Sequence, residues 1–308
     1  MRKTRLLPIS LSMNTPQIIV DRPLLKVGCT LGEGPIYDPT NGFLHFVDIQ
    51  EKKVYHLNTQ NNQLAVDQYE DSITCLALCS TGGFALLDGP TLKYLCKPIP
   101  ADQQPHTRFN DGACDSKGRF FAGTVYSEGH GVPGMLYRYD PTDGGVKVVD
   151  EGPFTDSNGL GWSLDEKTFY FTDTKRNVIY AYDYDDGNLS NRRVFIDANK
   201  FNLPGFCDGL CIDEEGCIWS ARWEGSRIVR FTREGNVDFE LFFPTVWRVT
   251  ACCFGGPNND QLYVTTAHCR ANGDVNDLQE KYPDSGHLFV VDLGGKYRGG
   301  PRHYFGGR

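Results

Sequence analysis

The chain has no long hydrophobic run, almost no helical periodicity and a shortage of positive charge. No stretch of its 308 residues approaches the roughly 18 uncharged apolar residues of a membrane helix, which excludes a helical span. With 31 Lys and Arg against 39 Asp and Glu, the net charge of −8 is the wrong sign for a nucleic-acid footprint. Familiar catalytic signatures are also missing: there is no G-x-S-x-G elbow, no H-E-x-x-H, no P-loop and no G-x-G-x-x-G after a strand. The seven histidines, His45, His56, His106, His130, His268, His287 and His303, are scattered, and none stands at ligand spacing from another. Each reads as a surface or core residue, with His130 and His268, near strand ends, the least ordinary. Eleven cysteines, an odd count at irregular spacing that includes adjacent Cys252 and Cys253, do not form a disulfide framework. They read as reduced thiols of a cytoplasmic protein. Cys75 and Cys79 are expected on one face of one strand, as small buried hydrophobes.

What the chain has is strands. FLHFVD, KVYHLN, FALLD, MLYRYD, TFYFTD, VIYAYD, CIWSAR, RIVRF, QLYVTT and HLFVVD follow one another with polar turns between them. They fall into a unit that occurs six times and opens with EGPIYD (33–38), TCLALC (74–79), NDGACD (110–115), NGLGWS (158–163), DGLCID (208–213) and TACCFG (250–255). The spacing of about 40–50 residues is that of a four-stranded propeller blade. The expected fold is therefore all-β, a six-bladed β-propeller with a metal site in its central channel. LAVDQYE, VKVVDEG, RRVFIDA and VDFELFF read as outer, fourth strands. The last unit lacks one, and QIIVD at 17–21 is expected to supply it and latch the ring. Residues 1–15 read as a flexible N-terminal extension; its basic start and short apolar run suggest targeting, but Pro8 breaks the run. Residues 16–308 read as a single domain.

Rotation about the channel places the first residue of each opening on one ring: Glu33, Thr74, Asn110, Asn158, Asp208 and Thr250. Two carboxylates and two carboxamides converging there would be costly unless a cation compensated them. The alternative is that they bond to one another and to channel water. An all-oxygen donor set favours Ca²⁺, Mg²⁺ or Mn²⁺, with Zn²⁺ or Fe²⁺ open if water completes the shell. Three or four protein ligands leave positions for substrate or a reactive water.

The segments LGEGP (31–35), RFNDG (108–112), GRFFAGT (118–124), SNGLGWS (157–163), CDGLCID (207–213), GCIWSARWEG (216–225) and CCFGGPNNDQLYVTTA (252–267), as an ordered set, resemble the regucalcin / gluconolactonase / luciferin-regenerating enzyme family. The resemblance implies a metal-dependent lactonase that opens aldonolactones, such as gluconolactone, xylonolactone or rhamnonolactone, to the free acids. It implies one divalent metal ion (Ca, Mn, Mg, Zn or Fe) held by Glu33, Asn158 and Asp208, and substrate-binding positions at Arg108, Asn110 and, on the divergent loop SEGHGVPG, Glu128. Asp208 is the expected catalytic base that takes a proton from the attacking water, with ion-activated water as the competing route. The Gly-rich stretch 129–134 is either a lid or an ordinary loop. Two departures leave the substrate open: Cys207 stands where animal members usually have Pro, and SARWEG is closer to microbial sugar-lactone hydrolases. The partner implied is a small-molecule sugar lactone, with no nucleic acid or membrane partner and a monomer or weak homo-oligomer. The rival readings are a calcium-binding regulatory propeller without catalysis, and a metal propeller acting as an esterase or phosphotriesterase.

Overall fold

A computed structural model of the chain describes residues 15–76, 79–80, 83–88, 91–275 and 277–307. The expected flexible extension at 1–15 lies almost wholly outside them. The strands form six sheets, five with four or more strands and the sixth with three, each running in chain order from its innermost strand outward. The innermost strands are Gly32–Asp38, Ile73–Cys75, Phe109–Cys114, Ser157–Trp162, Phe206–Ile212 and Arg248–Gly255. Each packs against the innermost strand of the next sheet, and Arg248–Gly255 packs against Gly32–Asp38, which closes the ring of an all-β propeller.

The core is correspondingly divided. Six apolar clusters lie as wedges between neighbouring sheets rather than around one centre; Phe121, Trp162, Phe169 and Tyr184, for example, fill the wedge between the third and fourth. A strand covered on both faces cannot alternate, so Phe120–Thr124 and Thr168–Asp173 are buried almost throughout. The outermost strand Gln63–Gln68 is exposed throughout.

Local chemistry of one kind ends three of the six innermost strands. The aspartate that closes an opening accepts backbone N–H groups of the following turn: Asp38 Oδ1 from Thr40, Asp115 Oδ1 from Lys117 and Arg119, Asp213 Oδ1 from Glu215 and Cys217. Asp213 also accepts from Trp219 Nε1 at 2.9 Å and Arg230 Nε at 2.7 Å through its other oxygen.

Two expectations are corrected. QIIVD does not complete the last sheet. Gln17–Ile19 pairs in parallel with Val237–Phe242 at the outer edge of the fifth sheet, because Val20 is buried there among Phe239, Leu241 and Phe243. The chain then meets the sixth sheet through isolated bridges, Leu25 to Leu288 and Leu31 to Ala267, and adds no strand to it, which leaves that sheet three-stranded among the described residues. TCLALC is not one strand either. Ile73–Cys75 and Cys79–Ser80 pair as a hairpin with Cys75 opposite Cys79, so the two cysteines sit on facing strands. The ten cysteines whose side chains are described form no disulfide. No helix among the described residues is long and apolar enough to cross a membrane.

The C-terminal segment straps the far face of the propeller. Gly299 bridges to Asp213 on the fifth sheet, His303 Nε2 lies 2.9 Å from Glu166 Oε1 on the fourth, and Gly306 N–H donates to Gly118 O on the third. Of the ion pairs behind this face, Asp213–Arg230 is the most deeply buried, with Asp213 1% exposed. Asp213→Ala is expected to destabilise the fold by roughly 3–5 kcal/mol, because Arg230 loses its buried counter-charge. Chemical denaturation measures this, and a loss under 1 kcal/mol would contradict it.

Candidate metal and substrate site in the channel

The ring is shaped by an irregularity repeated in every sheet. The pairing register between the innermost strand and its neighbour slips at the ring residue in all six sheets: Glu33/Ile36, Ile73/Cys75, Phe109/Gly112, Asn158/Leu160, Cys207/Leu210 and Val249/Ala251. Such bulges bend the strand and re-aim the side chain. Glu33, Asn158 and Asp208 are each followed by glycine. A Cβ on Gly159 would lie 2.4 Å from Leu210 N, and one on Gly209 2.5 Å from Ala251 Cβ. The sheets therefore meet at the axis with no room for a side chain behind Asn158 and Asp208.

All six ring residues are buried, and their bonding divides them. Thr250 Oγ1 donates to Gly32 O at 2.6 Å. Asn110 is engaged at both ends, its Nδ2 donating to Ser157 O at 2.9 Å and its Oδ1 accepting from Arg108 Nη1 at 2.6 Å. Asn158 donates through Nδ2 to Thr174 Oγ1 at 2.8 Å, which fixes the amide, yet its Oδ1 is buried with no partner. Asp208 Oδ1 is in the same position, and so is Thr74 Oγ1. Glu33 Oε2 accepts only the Gly34 N–H at 3.2 Å.

The electrostatics follow from this crowding. Burial, then the charge of Asp111, pushes Glu33 from the usual 4.5 up to about 8. Burial and then the Glu33 charge hold Asp208 well above the carboxylate range, against the Gly209 N–H that lowers it. Asp156 and Asp111, two half-buried carboxylates not anticipated from the repeat, are pushed up to about 6 by burial. Burial lowers Arg108, while Asp156 and Glu33 oppose that shift. Buried oxygens without partners, beside carboxylates that resist ionisation, make an all-oxygen donor set that suits a hard divalent cation.

Arg108 and Asp156 precede their ring residues by two positions, so they lie on one side of the ring. Val125 N–H donates to Arg108 O, and the chain continues to Glu128 on the short 3₁₀ turn Glu128–His130, which places that exposed residue on the same side. Its loop is tied down: Ser127 and Val132 exchange backbone hydrogen bonds, and His130 stacks on His106 with ring centroids 3.6 Å apart. Beyond the ring lies a cavity of about 1210 Å³. It is lined by residues that follow the ring positions, among them Ile36, Asp111, Leu160 and Ile212, and floored by Arg302–Phe305 of the strap.

The two departures from the resembled pattern meet behind Asp208. Arg222, fully buried in SARWEG, donates to Cys207 Sγ at 2.8 Å, Asn177 Oδ1 at 3.0 Å and Gly205 O at 2.6 Å. Cys207 N–H also donates to Asn177 Oδ1 at 3.0 Å, a bond that a proline could not make. The substitutions thus form one network that backs the strand carrying Asp208.

Residues far apart in sequence are also paired. Contrary to the expectation of isolated histidines, His45 lies opposite His56 across two strands with Nδ1 atoms 2.6 Å apart, besides the His106–His130 stack. The hairpin register of FLHFVD and KVYHLN is the signal that pairs the former. A second acidic cluster, Asp213, Glu215 and Cys217, brings ligand atoms within 4.8 Å of one another, but Arg230 already bonds both of its carboxylates.

The family model for the SMP-30/Gluconolactonase/LRE-like region matches residues 31–268. The chain is 32% identical to regucalcin of Danio rerio, covering 87% of this chain and 94% of that protein. It is 34% identical to the pentonolactonase XacC of Haloferax volcanii, covering 88% and 93%. A calcium-binding regucalcin from Agrobacterium tumefaciens superposes with a TM-score of 0.81 at 26% identity, covering 94% of this chain and 98% of that one. With the family model matching residues 31–268 and relatives above 30% identical over most of their length, the chain belongs to the SMP-30/gluconolactonase/LRE-like family.

Proposed function

We propose that the six sheets act as six blades of one propeller whose channel ring hydrolyses sugar lactones to aldonic acids, with one divalent cation held by Glu33, Asn158 and Asp208. The observation that carries this reading is the pair of buried, unpartnered oxygens, Asn158 Oδ1 and Asp208 Oδ1, in one ring with Glu33. Hydrogen bonding among the ring residues themselves leaves these two atoms unsatisfied. The relatives agree: one is named a pentonolactonase and another a calcium-binding protein. A cytoplasmic setting is part of this reading, since eleven irregularly spaced cysteines do not make a disulfide framework.

A bound cation would polarise the lactone carbonyl and offset the charge of the two carboxylates. The chain supplies the rest. Asp208, backed by the Arg222 network, takes the proton from the attacking water at the carboxylate oxygen that does not hold the cation. Arg108, held by Asn110 Oδ1 and facing the Asp156 charge, presents a guanidinium to the ring and hydroxyl oxygens of the sugar. Asn110 fixes that guanidinium, and Glu128 reads hydroxyls from the rim. Asp156 opposes Arg108 and keeps the arginine's charge on the substrate side.

Exhaustive chelation is expected to abolish turnover of aldonolactones, and restoring Ca²⁺, Mn²⁺ or Zn²⁺ should return it. Assayed beside aryl esters and phosphotriesters, lactones should be the preferred class. Activity that survives chelation, or a preference for phosphotriesters, would reject the reading; cation binding without turnover of any substrate would favour the regulatory one.

Asp208→Ala should lose cation affinity and turnover together, each by on the order of 100-fold or more. Arg108→Ala should lower kcat/KM by about 10–100-fold, the worth of a charged hydrogen bond, while leaving cation affinity near its original value. Parallel calorimetric and kinetic titrations separate the two roles.

Between about pH 4.5 and 8 the ion-free folded state holds a proton on Glu33 that the unfolded chain has released. Asp156 and Asp111, at about 6, act in the same direction. Stability of the chelated protein should therefore fall as pH rises through this window, by up to about 1.4 kcal/mol per unit for each such group. Saturating Ca²⁺ should flatten the slope. Denaturant midpoints measured from pH 5 to 8 in chelator and in Ca²⁺ test this, and a chelated protein that gains stability with pH would contradict it.

A further inference from the structure

The first sheet carries a cluster that the channel chemistry does not use. His45 on Phe43–Asp48 and His56 on Lys53–Asn58 are direct cross-strand partners. Their Nδ1 atoms lie 2.6 Å apart, with the rings edge to face at 72°. Asp67, on the outermost strand Gln63–Gln68, lies with Oδ2 at 3.1 Å from His56 Nε2. Phe43 stacks on His45 at 6.1 Å and supports that ring from the side. Both histidines are half-buried and border the channel cavity, so small solutes reach them.

We propose that His45 and His56, oriented by Asp67, form a binding site for one late first-row divalent cation, Zn²⁺, Ni²⁺ or Cu²⁺, separate from the channel ring. Asp67 accepts the Nε2 proton of His56, which leaves Nδ1 of that ring as a lone pair aimed at His45. A carboxylate behind a histidine is the usual device for fixing the tautomer of a metal ligand. His45 presents its own Nδ1 lone pair once its proton sits on Nε2, a tautomer change with no change of charge. Burial, followed by the His56 charge, lowers the His45 pKa and keeps that ring neutral. A cation 2.0–2.1 Å from each nitrogen needs them about 2.9 Å apart in a square-planar shell and about 3.4 Å apart in a tetrahedral one, so the pair must open by roughly 0.3–0.8 Å. Imidazole selects these metals, whereas the all-oxygen ring suits harder ones. Two protein ligands leave the remaining positions to water.

The test uses the full chain with its ring saturated by Ca²⁺, one equivalent of Cu²⁺ added, and electron paramagnetic resonance. Nitrogen couplings from two imidazoles are expected, which an oxygen ring cannot produce. His45→Gln and His56→Gln should each leave at most one coupled nitrogen and weaken Cu²⁺ binding at least about 10-fold. Asp67→Asn should keep both nitrogens and weaken binding by about 10–100-fold. The His56 variant carries the test if the His45 variant does not fold, with circular dichroism as the check. A spectrum without two-nitrogen coupling, or one unchanged in the folded histidine variants, overturns the proposal. Lactone hydrolysis in Ca²⁺ should be unaffected by either histidine substitution, which separates this site from the channel.

Discussion

Six sheets meeting edge-on around an axis leave almost no room at their inner edges, and the ring geometry follows from that closeness. Gly159 and Gly209 sit where a single methyl group would collide with the next sheet. The innermost strands accommodate the crowding by slipping register at the ring residue, a shift present in all six sheets. The same slip turns Glu33, Asn158 and Asp208 together. Wedge-shaped apolar clusters between the sheets hold the arrangement, so the positions of the polar groups are set by packing that does not involve them.

Convergence has an electrostatic cost that the protein only partly offsets. Gly34 and Gly209 give N–H groups to Glu33 and Asp208, and Arg108 brings one positive charge. Burial makes Glu33, Asp111, Asp156 and Asp208 all hold protons more tightly than usual, and neighbouring carboxylate charge adds to it at Glu33, Asp156 and Asp208. In the function proposed, a divalent cation competes with the proton for the same oxygens.

The two sides of the ring differ in kind. Arg108, Asp156 and Glu128 make one side polar, with a loop held by the His106–His130 stack. The other side opens on a cavity walled by Ile36, Leu160, Trp162 and Ile212 and floored by the C-terminal strap. Cys207 and Arg222, which depart from the resembled pattern, lie behind Asp208 rather than on either side. They bear on how rigidly the aspartate is held.

The repeat of openings, the all-β class and the polar membership of the ring were legible in the sequence, because a strand period of two and a unit of 40–50 residues are local patterns. So were the turns closed by Asp38, Asp115 and Asp213, where a side chain bonds its own next few residues. The sequence could not say that Asn110 is bonded at both ends while Asn158 and Asp208 keep a free oxygen, since that depends on Ser157 and Thr174 arriving from elsewhere in the chain. Nor could it place Asp156 and Asp111 beside Glu33, pair His45 with His56, or send QIIVD to the fifth sheet. Those outcomes depend on which surfaces bury one another once the ring has closed, and on charges that repel only after folding has removed the water between them.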